Sequence, residues 1–167
     1  MEPKPVMVIG VGNSIQMDDG IGIHTLNELR KFDLPEEIEL FDGGTLGIDL
    51  MPYIEGREKL IFIDSVKGGE KPGTIFKFEP EDLNYDDAPK TSVHQLGLID
   101  SLQMISLIGK APDKIVIFGV QPKTIDWGEE LTPELKASIP KLLPHLLKEI
   151  KNSAEEIKNK ITEELNV

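Results

Sequence analysis

The sequence predicts an α/β fold with a mostly parallel five-stranded sheet, helices on both faces of the sheet, and one antiparallel edge strand. Apolar runs typical of buried strands alternate with segments of helical periodicity, and this alternation favours a parallel sheet covered on both sides. The exception is the connection at residues 67–73, which is too short for a parallel crossover. The strand after it is therefore expected to run antiparallel, at an edge.

The predicted strands are apolar runs that glycine, proline or polar residues interrupt. They cover residues 6–11, 38–44, 59–66, 74–80 and 114–122. The first run, VMVIGV, is apolar throughout, as expected for a strand that is buried on both faces. The fourth run follows the short connection and is the predicted antiparallel strand.

Helices are predicted where apolar residues recur every three or four positions. They cover residues 18–31, residues 45–54, a segment that begins at Ser92, and a segment from residue 132 towards residue 150. Ser92 and Gln95 form a capping box, which places His94 in the first turn of its helix. Pro140 and Pro144 fall inside the last segment and are expected to kink or split it.

The composition indicates a single acidic domain. The 167 residues include 18 Lys and Arg against 30 Asp and Glu, a formal charge of −12 that repels nucleic acid and anionic membrane surfaces. The absence of cysteine excludes disulfides and thiolate metal sites and fits a reducing compartment, so the cytoplasm is the expected location. No signal peptide and no membrane insertion is predicted.

Two further features have a binding interpretation. Residues 1–151 are assigned to the domain and residues 152–167 to a charged helical tail, whose narrow apolar stripe consists of Ile157, Ile161 and Leu165. This stripe packs on the domain, binds a partner, or is solvated. Trp127, in the polar loop after the fifth strand, is either a recognition anchor or an aromatic side chain that closes over the core.

Acidic side chains follow three of the predicted strands. Asp42 ends the second strand, and Asp64 lies at the carboxyl end of the third. Asp18 and Asp19 follow the first strand after a short glycine loop. Ligands of open α/β sheets bind beyond the carboxyl ends of the strands. Because like charges in one cleft raise one another's pKa values, these carboxylates require either protons or a cation.

A divalent metal ion fits this group of acids. His94 joins them if its helix packs against the carboxyl edge of the sheet. Two carboxylates and one imidazole suit an ion such as nickel, zinc or manganese and leave positions open for a further ligand. We therefore predict Asp19, Asp64 and His94 as the metal ligands. The residues expected to fix the surrounding loops by hydrogen bonds are Asn13, Asp18 and Asp42.

Most of these residues also have a structural interpretation. In that interpretation, Asp18 or Asp19 is simply a helix N-cap, and Asp42, followed by two glycines, is simply a turn residue. His94 alone would be an ordinary histidine at a helix terminus. Asp64 is harder to explain in this way, because an acid after four apolar residues of an inner strand is costly without a partner.

A nucleotide-binding module is an alternative. Gly10-x-Gly12 after the first strand resembles the start of a dinucleotide-binding loop, and Asp42 stands where such folds keep a ribose-binding acid. However, Ile15 replaces the third glycine of that loop. The acids at residues 18 and 19 would also repel a pyrophosphate at the start of the helix.

Four motifs, in order and spacing, closely resemble the maturation endopeptidases of nickel-iron hydrogenases. They are GVGNSIQMDDGIG at 10–22, DGGT at 42–45, FIDSV at 62–66 and HQLGL at 94–98. The resemblance extends from about residue 6 to residue 147. It implies a three-layer α/β/α sandwich and an endopeptidase that removes a C-terminal extension from the hydrogenase large-subunit precursor after nickel insertion.

The resemblance also implies roles for individual residues. The nickel-recognising ligands of the family fall on Asp19, Asp64 and His94, and Asp42 would help to recognise or cleave the peptide, so these four form the expected catalytic set. The nickel is expected to arrive with the precursor, which is the expected partner, and no organic cofactor is expected. A nickel-dependent chaperone or checkpoint that binds the precursor without cutting it is the non-enzymatic alternative.

Overall fold

The computed structural model describes residues 2–82 and 112–166. Five strands form one sheet: β1 (Val6–Val11), β2 (Ile38–Gly44), β3 (Lys59–Ser65), β4 (Ile75–Phe78) and β5 (Lys114–Val120). Their order is β2-β1-β3-β5-β4. β1 pairs in parallel with β2 and β3, β3 pairs in parallel with β5, and β4 runs antiparallel to β5 at the edge. The predicted mostly parallel sheet with one antiparallel edge strand is confirmed.

In the described part of the chain, three α-helices accompany the sheet: α1 (Ile21–Leu29), α2 (Met51–Ile54) and α3 (Pro133–Leu165). Short 3-10 turns precede the first two, at Met17–Gly20 and Gly47–Leu50. A third such turn, Pro80–Asp82, follows β4. The helix that is predicted to begin at Ser92 lies outside the described residues.

The core lies on both faces of the sheet. All six residues of β1 are buried, because this strand is inside the sheet. Val6 and Val8 pack on the face that α1 and α3 cover. Met7 and Ile9 point to the opposite face, where they pack with Ile54 of α2. The alternation of side chains along one strand thus supplies both layers of the core.

α3 is a single helix of 33 residues. Thr132 is its N-cap and Pro133 its first residue, as the sequence predicts. Pro140 and Pro144 both lie on the exposed side of the helix and do not split it. The helix continues without a break across residue 152, the predicted start of the tail.

The tail stripe divides into a packed part and an exposed part. Ile157 belongs to the buried core, whereas Ile161 is half exposed and Leu165 is 81% exposed. Glu149, which precedes this stripe on α3, forms ion pairs with Lys59 of β3 at 2.6 Å and with Lys77 of β4 at 2.8 Å. These two ion pairs connect α3 to two strands of the sheet.

Among the helices of residues 2–82 and 112–166, none combines the length and apolar character that crossing a bilayer requires.

Candidate functional site

The candidate site lies beyond the carboxyl ends of β1, β2 and β3. Gly10 of β1 is paired with Asp42 on one side and with Ile63 on the other. Asp42 and Asp64 therefore lie on the two strands that flank β1. The register between β1 and β2 shifts after Gly10, and the N–H of Gly12 then donates to the carbonyl of Gly44 at 2.9 Å. This bond joins the loops that follow the two strands.

Glycine allows α1 to approach the sheet closely. A Cβ atom at Gly22 would lie 2.3 Å from the carbonyl oxygen of Ile63 and 2.4 Å from that of Val11. At Gly12, where φ is +124°, a Cβ atom would lie 1.9 Å from the carbonyl oxygen of Asp19. The glycines of the first motif thus serve internal packing. They bring the turn that carries Asp19 against the end of β3.

Asp19 is buried and held from two sides. Its Oδ2 accepts the backbone N–H of Asn13 at 2.9 Å, and its Oδ1 accepts the hydroxyl of Ser65 at 3.1 Å. Only 1% of the residue is exposed. The loop after β1 and the end of β3 therefore fix this carboxylate together.

Asp64 is the most perturbed acid of the site. The residue is 2% exposed, and its Oδ1 accepts the backbone N–H of Ser65 at 2.8 Å. Burial and, to a lesser extent, the negative charge of Asp19 raise the pKa of Asp64 to about 8, and the N–H of Ser65 offsets only part of this rise. At neutral pH, Asp64 is therefore mainly protonated unless a cation is bound beside it.

Asp18 points away from this pair and binds the loop after β5. Its Oδ2 accepts the N–H groups of Lys123 at 2.9 Å and Thr124 at 3.0 Å. Its Oδ1 accepts the N–H of Thr132 at 2.8 Å, and the Thr132 hydroxyl donates to the same carboxylate. The loop-fixing role predicted for Asp18 is confirmed by these bonds.

The N-cap interpretation of Asp18 and Asp19 is wrong. The N-cap positions of the 3-10 turn and of α1 are occupied by Gln16 and Gly20, and neither makes a side-chain capping bond. Both aspartates instead use their carboxylates for contacts between distant segments. Because these carboxylates are buried in front of α1, where a dinucleotide fold binds pyrophosphate, the arrangement disfavours the nucleotide-binding alternative.

Asp42 is exposed and has a different environment. Its Oδ1 accepts the N–H of Gly44 at 3.0 Å, which makes a turn in which Gly44 has a φ of +44°. The turn interpretation is therefore correct in geometry, and it leaves the second carboxylate oxygen at the surface of the same sheet edge. Asn13 acts similarly in the loop after β1, where its side-chain oxygen accepts the N–H of Ile15 at 3.1 Å.

The structure brings together two of the three predicted metal ligands, Asp19 and Asp64. The third, His94, lies outside the described residues and stays a prediction. Within residues 2–82 and 112–166, no group of three acidic or histidine side chains is arranged to hold an ion. Two carboxylates and a further ligand from a partner or from the rest of the chain would suit a divalent ion.

Sequence reasoning did not identify Ser65 as part of the site. Its hydroxyl binds Asp19, and its N–H binds Asp64, so it contacts both acids. The only sequence signal is its place next to Asp64 at the end of a buried strand. The bond from the Ser65 hydroxyl to Asp19 depends on how closely α1 approaches β3, and no local sequence pattern indicates that distance.

Comparisons with known proteins agree in sequence and in fold. A family model described as hydrogenase maturation protease matches residues 23–149. The hydrogenase 2 maturation protease of Escherichia coli strain K12 is 33% identical over 153 residues, which are 90% of this chain and 93% of that protein. The hydrogenase expression/formation protein HupD of Rhodobacter capsulatus is 32% identical over 153 residues, 90% of this chain and 73% of that protein.

A solved structure shows the same likeness in three dimensions. The hydrogenase-maturating endopeptidase HybD from Escherichia coli superposes with a TM-score of 0.82 at 33% identity, over 89% of this chain and 93% of that one. The likeness therefore extends over most of both chains.

Proposed function

The chain belongs to the hydrogenase maturation protease family, and we propose that it removes the C-terminal extension of a nickel-iron hydrogenase large-subunit precursor after nickel insertion. The observation that carries this proposal is the buried pair of Asp19 and Asp64 at the carboxyl edge of the sheet. Two carboxylates in one buried place repel each other until a cation or a proton separates them. A divalent ion carried by the precursor would relieve this repulsion.

In this proposal the nickel is part of the substrate. Asp19 and Asp64 supply two oxygen ligands, and His94 is proposed as a nitrogen ligand, a mixture that nickel accepts. A precursor without nickel would offer nothing to offset the cost of ionising Asp64. Recognition would therefore depend on prior metal insertion.

Cleavage requires water and a proton acceptor near the bound peptide. The oxygen of the water bonds to the carbonyl carbon, the C–N bond breaks, and a proton passes to the leaving amine. A carboxylate at the site can take the proton from the attacking water and return it to the amine. Asp42 stands at the same edge with one oxygen at the surface, which fits a role in holding or cleaving the peptide.

The test compares nickel-loaded and nickel-free precursor by intact-mass measurement before and after incubation with the protein. We expect shortening of the nickel-loaded form alone. Asp64→Asn should keep the fold, as judged by circular dichroism, and lose processing. Asp33→Asn, at an exposed acid in the turn after α1, is the matched control and should process normally.

Each result has a definite meaning. Equal shortening of both precursor forms would refute the nickel dependence. Full processing by folded Asp64→Asn would remove Asp64 from the mechanism. If the wild-type protein binds the loaded precursor but never shortens it, the non-enzymatic checkpoint is the correct function.

A further inference from the structure

We propose that Ile15, Ile125 and Trp127, here called the Trp127 patch, dock an apolar segment of the precursor that also carries Lys or Arg. This inference rests on the proposed function and adds to it a second contact, outside the buried acid pair. Trp127 is 76% exposed, Ile15 is 45% exposed and Ile125 is 37% exposed. Tryptophan is among the residues that contribute most to protein interfaces.

Exposed apolar side chains concentrate at this edge of the sheet. Single exposed apolar residues are normal on protein surfaces, so their distribution matters more than their number. In the described part of the chain, five of the nine large apolar side chains that are exposed lie in the loops after β1, β2 and β5: Ile15, Leu46, Ile48, Ile125 and Trp127. The same loops surround the candidate site.

The patch is held in place by backbone bonds. The N–H of Met17 donates to the carbonyl of Gly128 at 2.7 Å, and the N–H of Gly128 donates to the carbonyl of Ile15 at 3.0 Å. These bonds form a parallel bridge between Gln16 and Gly128. The backbone at Ile15 is thereby held beside the backbone at Trp127.

Asp18 connects this loop to the acid pair. Its carboxylate accepts hydrogen bonds from Lys123 and Thr124 near one end of the loop and from Thr132 at the other end. The next residue in the chain is Asp19. The Trp127 patch is therefore built before the partner arrives and is fixed relative to the site, which reduces the ordering cost of binding.

The charges around the patch define the chemistry of its partner. Asp126 and Glu129 flank it, both exposed, and neither makes an ion pair within residues 2–82 and 112–166. Glu130, one residue further, is already paired with Lys136.

Along α3, by contrast, Glu149 and Glu156 are neutralised by lysines of the sheet. The unpaired acids favour a cationic segment, and Trp127 can additionally contact Arg through its ring.

The test measures binding and cleavage separately, with the nickel-loaded large-subunit precursor as the probe. Trp127 is the only tryptophan in the chain, so a 5-fluorotryptophan label gives a single fluorine resonance. We expect that resonance to shift on adding unlabelled precursor. Trp127→Ala should raise the Kd by about 10-fold or more.

One control variant and one charge variant separate the apolar and charged contributions to precursor binding. Leu165→Ala removes an apolar side chain that is 81% exposed at the far end of α3, and its Kd should equal that of the wild type. The double variant Asp126→Asn, Glu129→Gln should bind more weakly at low salt, and its Kd should rise less steeply with salt than the wild-type Kd.

The outcomes distinguish this inference from the proposed function. If the wild-type protein cleaves the precursor and Trp127→Ala binds it with unchanged Kd, the patch is refuted while the function stands. If the wild-type protein binds without cleaving, the function fails and the Kd values still decide the patch. Absence of any binding by the wild type refutes both.

Discussion

The hydroxyl of Ser65 lies 3.1 Å from Oδ1 of Asp19, and it joins the end of β3 to the turn before α1. Hydrogen bonds to a charged group contribute about 1.5–3 kcal/mol. Ser65→Ala should therefore loosen Asp19 and lower the rate of precursor cleavage by about 10- to 100-fold, with the fold retained. The measurement is the initial rate by intact mass.

The matched control is Ser153→Ala, which removes another buried hydroxyl, bonded to the carbonyl of Glu149 on α3. It should leave the cleavage rate unchanged. Equal rates for Ser65→Ala and the wild type would show that this hydroxyl does not position Asp19.

Asp64 should make the metal-free protein less stable at neutral pH. Its pKa is about 8 in the folded protein, above its ordinary value of 3.8, so the folded state favours the neutral acid. The stability from this preference is complete below pH 3.8 and is lost as pH rises towards 8. At pH 7, Asp64→Asn should raise the free energy of unfolding by about 2–4 kcal/mol.

Urea denaturation in the presence of a chelator, at pH 4, 6 and 8, checks this prediction. The advantage of Asp64→Asn should be small at pH 4 and grow with pH. Asp42→Asn is the control, because its side chain is exposed and asparagine can keep the turn bond to Gly44. If Asp64→Asn were less stable than the wild type at pH 8, the raised pKa of Asp64 would be contradicted.

Asp18→Asn should destabilise the protein and free the loop at residues 121–131. An asparagine has one acceptor oxygen where the structure offers donors to both carboxylate oxygens, from Lys123, Thr124 and Thr132. The unmatched buried donors should cost about 2–4 kcal/mol in total. The checks are the urea midpoint and the rate of limited proteolysis at the loop. Unchanged values in both would show that the loop is held by other contacts.

Glu149→Gln should destabilise the protein more than Glu156→Gln on the same helix. Glu149 pairs with Lys59, whose side chain is only 7% exposed, whereas Glu156 pairs with a lysine that is 60% exposed. Leaving buried Lys59 without its charge partner should cost about 1–3 kcal/mol, against less than about 0.5 kcal/mol for the exposed pair. Thermal unfolding of both variants measures the difference.

The same pair predicts an acid limit. Partial burial opposes ionisation of Glu149, but hydrogen bonds from Lys59 and Lys77 outweigh it and lower its pKa below 4.5. The stability from this pairing is therefore present above pH 4.5 and is lost as pH falls through the lower folded value. Wild type and Glu149→Gln should converge in stability at low pH. A constant difference down to pH 2 would contradict the shift.

Local patterns were sufficient for most of the fold. The predicted strand at residues 38–44 has the bounds of β2, and the short connection after β3 does reverse the chain direction. These features depend on apolar runs and turn length, which are local properties. The predicted helix at 18–31 is instead a 3-10 turn at Met17–Gly20 followed by α1 at Ile21–Leu29, and both aspartates of the turn bind other segments.

Tertiary contacts account for what the sequence could not resolve in the site. Asp18 and Asp19 are adjacent and chemically identical, yet one holds a loop and the other faces Asp64. The close packing at Gly22, which brings this turn to the end of β3, is a tertiary contact that no local pattern indicates. The end of the last helix was also beyond local patterns, since Pro140 and Pro144 fall on its exposed side and leave its core contacts intact.

The burial of Asp19 beside Asp64 has a consequence for turnover. In the proposed reaction, the metal stays with the matured large subunit, so the protease must release the metal after each cleavage. A site made from mutually repelling acids, one of which readily regains a proton, holds the ion less tightly than a site whose ligands are all ionised when free. The same feature that, in this proposal, would restrict cleavage to nickel-loaded precursor would thus also speed dissociation of the product.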